Sequence, residues 1–489
     1  MLTPLNPKQW DMAKAAHLLN RAGFGGSPQE IKTLCELGFD GAVKSLLNAA
    51  DESSNFPKPD WAVPRNVFEM RQEVRDLPPD EKKMRQQEMN RDNRDNGLDL
   101  IGWWLNRMRF TTFPLREKLT LFWHGHFATS IQKVKEPYLM WQQNETLREN
   151  ALGNFGAMTK AISRDPAMMI YLDTRESKKE HPNENFAREL MELFTLGIGN
   201  YTEDDIQQSA RAFTGYKINP VDETFRWAPF QHDQTSKKFF GETGNFNGDD
   251  IIDRILKQPV CAHFIAKKVW EFFVYEDPKP GLIDAVAANF RASNYEIKPL
   301  INEVFRSAEF YSPSAIRTQI KSPVQWLVQT SKILETELPD DQVATNALRQ
   351  LGQIPFAPPS VKGWDGGKAW ITTSTLLQRY NLANFALGNG PMNFERMRKI
   401  AAANKAPGPI ISVQNHEQID LEKIAPQELR NDSKRLVDYV CFRLFQDPLT
   451  SRETEKFISF LDERKDNLND NTIRALLHVM MSTPQYQLT

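Results

Sequence analysis

Two histidines one residue apart, His124 and His126, sit in the apolar run "LTLFWHGHFATS", residues 119–130. The chain has eight histidines in 489 residues, so a close pair invites a chemical reading. Imidazole ligates metals and moves protons near neutral pH. In an extended chain alternate side chains share a face, and an H-x-H pair would offer two nitrogens to one metal. On a continuous helix the two rings lie about 200° apart around the axis and cannot share one. Gly125, between them, is the residue that could break the helix. Helical phase puts Leu115, Leu119, Phe122, Trp123 and His126 on one apolar stripe, which predicts a buried His126 and a surface His124.

A second cluster lies in "HPNENFARELMELFTLG", residues 181–197. Phe186, Leu190, Leu193 and Phe194 make a core stripe. Asn185, Glu189 and Glu192, at i, i+4 and i+7, make a polar one, with Arg188 beside it. The helix has no lysine to solubilise its acids, so partial burial against a cation or metal is expected. The next helix, 203–214, opens with Thr202 and three acids and carries Arg211. The short link 197–202 predicts antiparallel packing, with Glu189 or Glu192 buried within reach of an arginine. His232 and Asp233 stand together in "PFQHDQ", and "VKGWDGG", 361–367, is either a backbone anion nest or a turn packed by Trp364. The chain has no Walker loop, nucleophile elbow, H-E-x-x-H or dinucleotide fingerprint.

Two function classes fit these residues. One is a metal-assisted hydrolase. His124 and/or His126 with Glu189 or Glu192 would hold Zn, Mn or Fe, and the remaining carboxylate would act as base. Arg188 or Arg211 would bind substrate charge, and His232 would donate a proton. The other is a non-catalytic helical scaffold using the same groups as a buried polar network. Haem on His126 is a variant without an attachment motif.

The elements that must position these groups are mainly helices. Ser27-Pro28-Gln29-Glu30 is a capping box with proline at the first helical position. Residues 65–96 carry many charges of both signs and read as a solvated helix pair broken at Pro78-Pro79, or a lid. Amphipathic helices fill 97–215. Residues 216–248, rich in aromatics, glycine and asparagine, read as a small β-hairpin insert. Helices resume at Asp249-Asp250, interrupted by a Pro/Gly/Trp loop at 354–370 and a linker at 402–418. The expectation is one large helical domain over 1–489.

A formal charge of −2 gives no global field for nucleic acid or anionic lipid. No run reaches the roughly 18 apolar residues of a membrane span. The start of the chain lacks the basic-then-apolar pattern of a secretory signal. Cys35, Cys261 and Cys441, odd in number and far apart, read as small buried hydrophobes.

Blocks in order along the chain carry a resemblance: "HLLNRAGFGGSPQEI", "LREKLTLFWHGHF", "PNENFARELMELFTLGIGNYTEDDI", "ARAFTGY", "GNFNGDDIID", "KSPVQWL", "PPSVKGWDGGKAWI" and "MSTPQYQL". Together they resemble the bacterial family catalogued as domain of unknown function 1800, from about residue 14 to the C-terminus. The resemblance implies one continuous helical domain and adds no catalytic residue. It also implies an envelope setting, since many relatives are exported, and a sulfatase-related partner encoded nearby.

Overall fold

Ser27 caps its helix as its spacing dictates: its hydroxyl accepts the Glu30 N–H and the Glu30 side chain accepts the Ser27 N–H. Thr202 and Asp205 form the same reciprocal pair at the start of the helix Glu203–Ala212. Such local agreement recurs along the computed structural model, which describes residues 2–48, 52, 54–388, 419–446, 448–464 and 468–489. Helix makes up 64% of it, and the only strands among the described residues form two small antiparallel hairpins, so the fold is mainly α. The expected linker at 402–418 lies outside the described residues.

The elements that frame the site are α1 (Met12–Ala22), α2 (Val67–Arg75), α3 (Pro79–Phe110), α4 (Pro114–His126) and α5 (Pro137–Glu149). They continue with α6 (Asn185–Glu189), a π-turn (Leu190–Thr195), α7 (Glu203–Ala212), α8 (Pro259–Phe273) and α9 (Pro323–Leu334). Within 65–96, α2 and the exposed first half of α3 are separated at Pro78, and none of these residues is buried. The 216–248 insert is two hairpins rather than one. β1 (Tyr216–Ile218) pairs with β2 (Phe225–Trp227), and β3 (Lys237–Phe239) pairs with β4 (Glu242–Gly244). All three cysteines are free, with Cys261 and Cys441 buried and Cys35 half-buried. No described helix is long and apolar enough to cross a membrane.

Two apolar clusters build the interior, and α4 runs between them. Leu115, Leu119, Phe122 and Trp123 join one cluster with Phe155, Phe194 and Trp270. Leu121, on the other side of the same helix, joins Trp104, Phe356 and Leu348 in the second. A helix covered by two cores leaves little of its surface to water, and most of its polar residues must then find partners inside the protein.

Candidate functional site

Helix α4 continues unbroken through Gly125 to His126. The two imidazoles therefore leave the helix on different sides, and the shared two-nitrogen metal site of the sequence reading does not form. Among the described residues no group of three or more His, Cys, Asp or Glu is placed to hold a metal ion.

His124 is buried, 1% exposed, which overturns its expected surface position. The apolar stripe identified one core face correctly, but a second core covers the opposite face. There His124 Nε2 accepts the backbone N–H of Phe356 at 2.9 Å. The ring packs edge-on against Trp104 and lies 5.9 Å from Trp364. Phe356 holds φ +62°, a conformation side chains rarely adopt, so this hydrogen bond pins a strained residue at the start of the 354–370 loop. Burial pushes the His124 pKa down to about 3, which keeps Nε2 free to accept. His124→Ala would leave the Phe356 N–H unpaired above a small void. The expected loss is about 2–3 kcal/mol in urea melts, where a purely surface residue would cost under about 1 kcal/mol.

His126 faces the other core. Its Nε2–H donates to the Phe194 carbonyl at 2.9 Å, which leaves Nδ1 as an acceptor, 3.5 Å from Lys268 Nζ. Lys268 also donates to the Leu193 carbonyl at 3.3 Å. Both carbonyls belong to the π-turn, where the Leu196 and Gly197 N–H groups both return to Met191. The last carbonyls of a helix lack partners within it, and here His126 and Lys268 take two of them. The H-x-H segment and the acidic helix do meet, as the sequence reading supposed, but through backbone carbonyls rather than carboxylates. With both nitrogens engaged, His126 has none to offer haem iron.

The other predicted residues lie elsewhere. Glu189 and Glu192 are half-buried, and neither forms an ion pair among the described residues. Glu192 accepts the Tyr201 hydroxyl at 2.8 Å. Burial raises the Glu189 pKa, and the neighbouring Glu192 charge adds to the rise. Arg188 does bridge the two helices, but to Glu203 at 2.8 Å, and to Glu184 within its own segment. Arg211 reaches away into the β insert, where its Nε donates to Asp233 at 2.7 Å. Against the upward push of burial, that bond holds the Asp233 carboxyl well below the usual range. His232 Nδ1–H donates to the Thr214 carbonyl at 2.9 Å beneath Trp227, and burial lowers its pKa. This set staples the insert to α7. None of these residues lines the cavity that His126 borders.

A cavity of about 600 Å³ opens instead against α4, α8, the start of α9 and the "VKGWDGG" loop. Phe122, Phe272, Trp364 and Trp370 give it aromatic walls, Lys118, His126 and Lys268 line it from the helices, and Glu271, Glu276, Asp277 and Asp365 line it as well. The loop approaches α4 closely: at Gly363 (φ +85°) a β-carbon would lie 2.3 Å from the Gly125 carbonyl oxygen, so only glycine fits. Lys362 on the rim is paired with Asp365 at 2.6 Å.

Lys118 has no such acid. It is 8% exposed, donates to Gln325 Oε1, and lies 5.2 Å and 5.5 Å from the ring centres of Phe24 and Phe272. Gln325 is itself held by Gln329, and Gln329 by Asn20, at 3.1 and 2.9 Å. The charged neighbour of Lys118 is another cation, Arg21, 2% exposed, whose Nε and Nη1 have no hydrogen-bond partner. Burial, with Arg21 adding to it, pushes the Lys118 pKa down to about 7. Burial lowers Lys268 to about 8 against the pull of Glu271, and Lys362 adds to the lowering.

Neither lysine was among the residues singled out from the sequence, although a signal existed. Lys118 is four residues before Phe122 and eight before His126, so it shares their helical face. Lys268 likewise stands four residues from Phe264 and from Phe272. A lysine on an apolar face is either snorkelling to water or buried, and periodicity alone does not separate the two.

No curated protein and no solved structure matches the chain. The family model described as "Protein of unknown function (DUF1800)" matches residues 17–488, in agreement with the motif blocks. Over nearly its whole length, the chain belongs to the DUF1800 family.

Proposed function

We propose that the cavity beside α4 binds a small anionic organic molecule. The observation that carries this reading is Lys118, a buried ammonium on the cavity wall with an amide and two aromatic rings for partners and a second buried cation behind it. A buried charge without a counter-charge is costly, and an anion in the cavity would relieve it. The aromatic walls suit an organic body attached to that anion. The volume is that of a small-molecule site.

Metal-assisted hydrolysis loses support by the same geometry. His124 and His126 diverge, and Glu189 and Glu192 do not line the cavity. The scaffold alternative accounts for the network at Arg188, Arg211 and His232, but not for a buried lysine on a cavity wall with no acid bonded to it.

Citrate is a suitable probe. Titrated from micromolar to millimolar at pH 7, it should raise the melting temperature of the unsubstituted protein with saturation, as a ligand of the native state does. Glycerol at the same concentrations should not. Lys118→Met should weaken the citrate response at least tenfold. Equal responses of both proteins would sink the proposal.

A further inference from the structure

We infer that Lys268 is a nucleophilic amine that forms an imine with a carbonyl compound bound in this cavity. The inference rests on the reading of the cavity as an anion site, so the compound is an aldehyde or ketone that also carries an acidic group.

The geometry around Nζ is the argument. A neutral amine nitrogen has four tetrahedral directions: the stem carbon, two N–H bonds and a lone pair. His126 Nδ1 at 3.5 Å and the Leu193 carbonyl at 3.3 Å take the two N–H bonds, because both can only accept. His126 is fixed in that role, since its Nε2–H is committed to Phe194. The lone pair is then the one direction not claimed by a protein acceptor, and Lys268 lines the cavity. The Phe264 ring, 4.8 Å from Nζ, covers one flank of the amine; as a cation–π partner it favours the charged form, which burial opposes. Lys267, its neighbour in sequence, instead pairs with Glu271 at 3.7 Å and is exposed.

The step balances without a further reactant. The Nζ lone pair attacks the carbonyl carbon, and the carbonyl π pair moves to oxygen. The new ammonium passes one proton to that oxygen, giving a neutral carbinolamine, and its second proton follows as the oxygen departs. The C–O bond breaks, both original amine protons leave in water, and a C=N bond remains. The lowered pKa of Lys268 supports the scheme by supplying neutral amine near pH 8.

Succinic semialdehyde, which carries both an aldehyde and a carboxylate, is the probe, with sodium borohydride to reduce any imine to a stable secondary amine. Intact mass should show close to one adduct per chain at low probe excess, and peptide mapping of the unsubstituted protein should place it on Lys268. That mapping does not depend on any variant folding. Labelling should rise with pH through about 8, and fall more than tenfold in Lys268→Arg. Adducts spread over surface lysines, or a single adduct elsewhere, would overturn the inference. Failure of the anion reading looks different. Butanal, which lacks the carboxylate, would then label Lys268 as readily as the semialdehyde, and Lys118→Met would not change the half-saturating probe concentration.

Discussion

Glu117→Ala is expected to lower stability by about 3–5 kcal/mol, the range seen when one partner of a buried ion pair is removed. Glu117 is 1% exposed on α4. It accepts from Arg107 Nε at 2.9 Å, Arg148 Nε at 2.7 Å and Nη2 at 3.0 Å, and Trp104 Nε1 at 2.9 Å. Both arginines are nearly as buried as the carboxylate. Truncation would leave two guanidinium groups facing each other and an indole N–H without an acceptor. Because Glu117 ties α3 and α5 to α4, the loss should also appear as a lower denaturant midpoint with cooperativity retained. Glu117→Gln keeps the shape but not the charge, and should recover part of the loss. A loss under about 1 kcal/mol for the alanine variant would mean that the network is wet and the packing of α4 is wrong.

The adjacent residue should behave in the opposite way. Lys118→Met is expected to stabilise the ligand-free protein at pH 7. A pKa displaced from 10.5 to about 7 bounds the penalty at roughly 4–5 kcal/mol, and loss of the Gln325 bond reduces the gain to about 2–3 kcal/mol. The sign with pH follows from linkage. Between about 7 and 10.5 the unfolded chain binds the Lys118 proton and the native protein does not, so the native protein gains stability as pH rises through that window. Below about pH 7 both states are protonated and the penalty is constant. The advantage of Lys118→Met should therefore be greatest at pH 7 and below, and shrink towards pH 10. Lys321 and Lys268 are lowered too, but they are common to both proteins and cancel in the difference. Urea melts of both proteins at pH 6, 7, 9 and 10 test this directly. A destabilised variant at pH 7, or a gap that widens with pH, would contradict a neutral-leaning buried lysine. Stability given up at one residue is what a binding site costs when its ligand is absent.

Glu117 and Lys118 show what a sequence leaves open. They are neighbours on one helix, of opposite charge, and both are buried. The acid has three side chains directed at it, and the lysine has none that carry a negative charge. No periodicity argument separates these cases, because the difference lies in partners from α3, α5 and α9, up to 207 residues away.

Local signals, by contrast, decided much of the fold. The capping boxes at Ser27 and Thr202, the break at Pro78, the strand-forming insert and the Pro/Gly/Trp loop all stand where short-range chemistry puts them. Each depends on residues within about four positions, so each is written in the local sequence. The motif order likewise identified the family from residues alone. Tertiary structure decided the rest. It placed a second core over the face of α4 that helical phase had left to solvent, and so buried His124. It turned the end of the acidic helix into a π-turn, so that His126 meets Phe194 and not Glu189 or Glu192. It carried Arg211 and His232 off to the insert. It also drew Lys118, Lys268 and the "VKGWDGG" loop, up to 249 positions apart, around one cavity. Which faces of a buried helix meet which partners is a property of long-range packing, and hydrophobic period can specify that a face is covered but not by what.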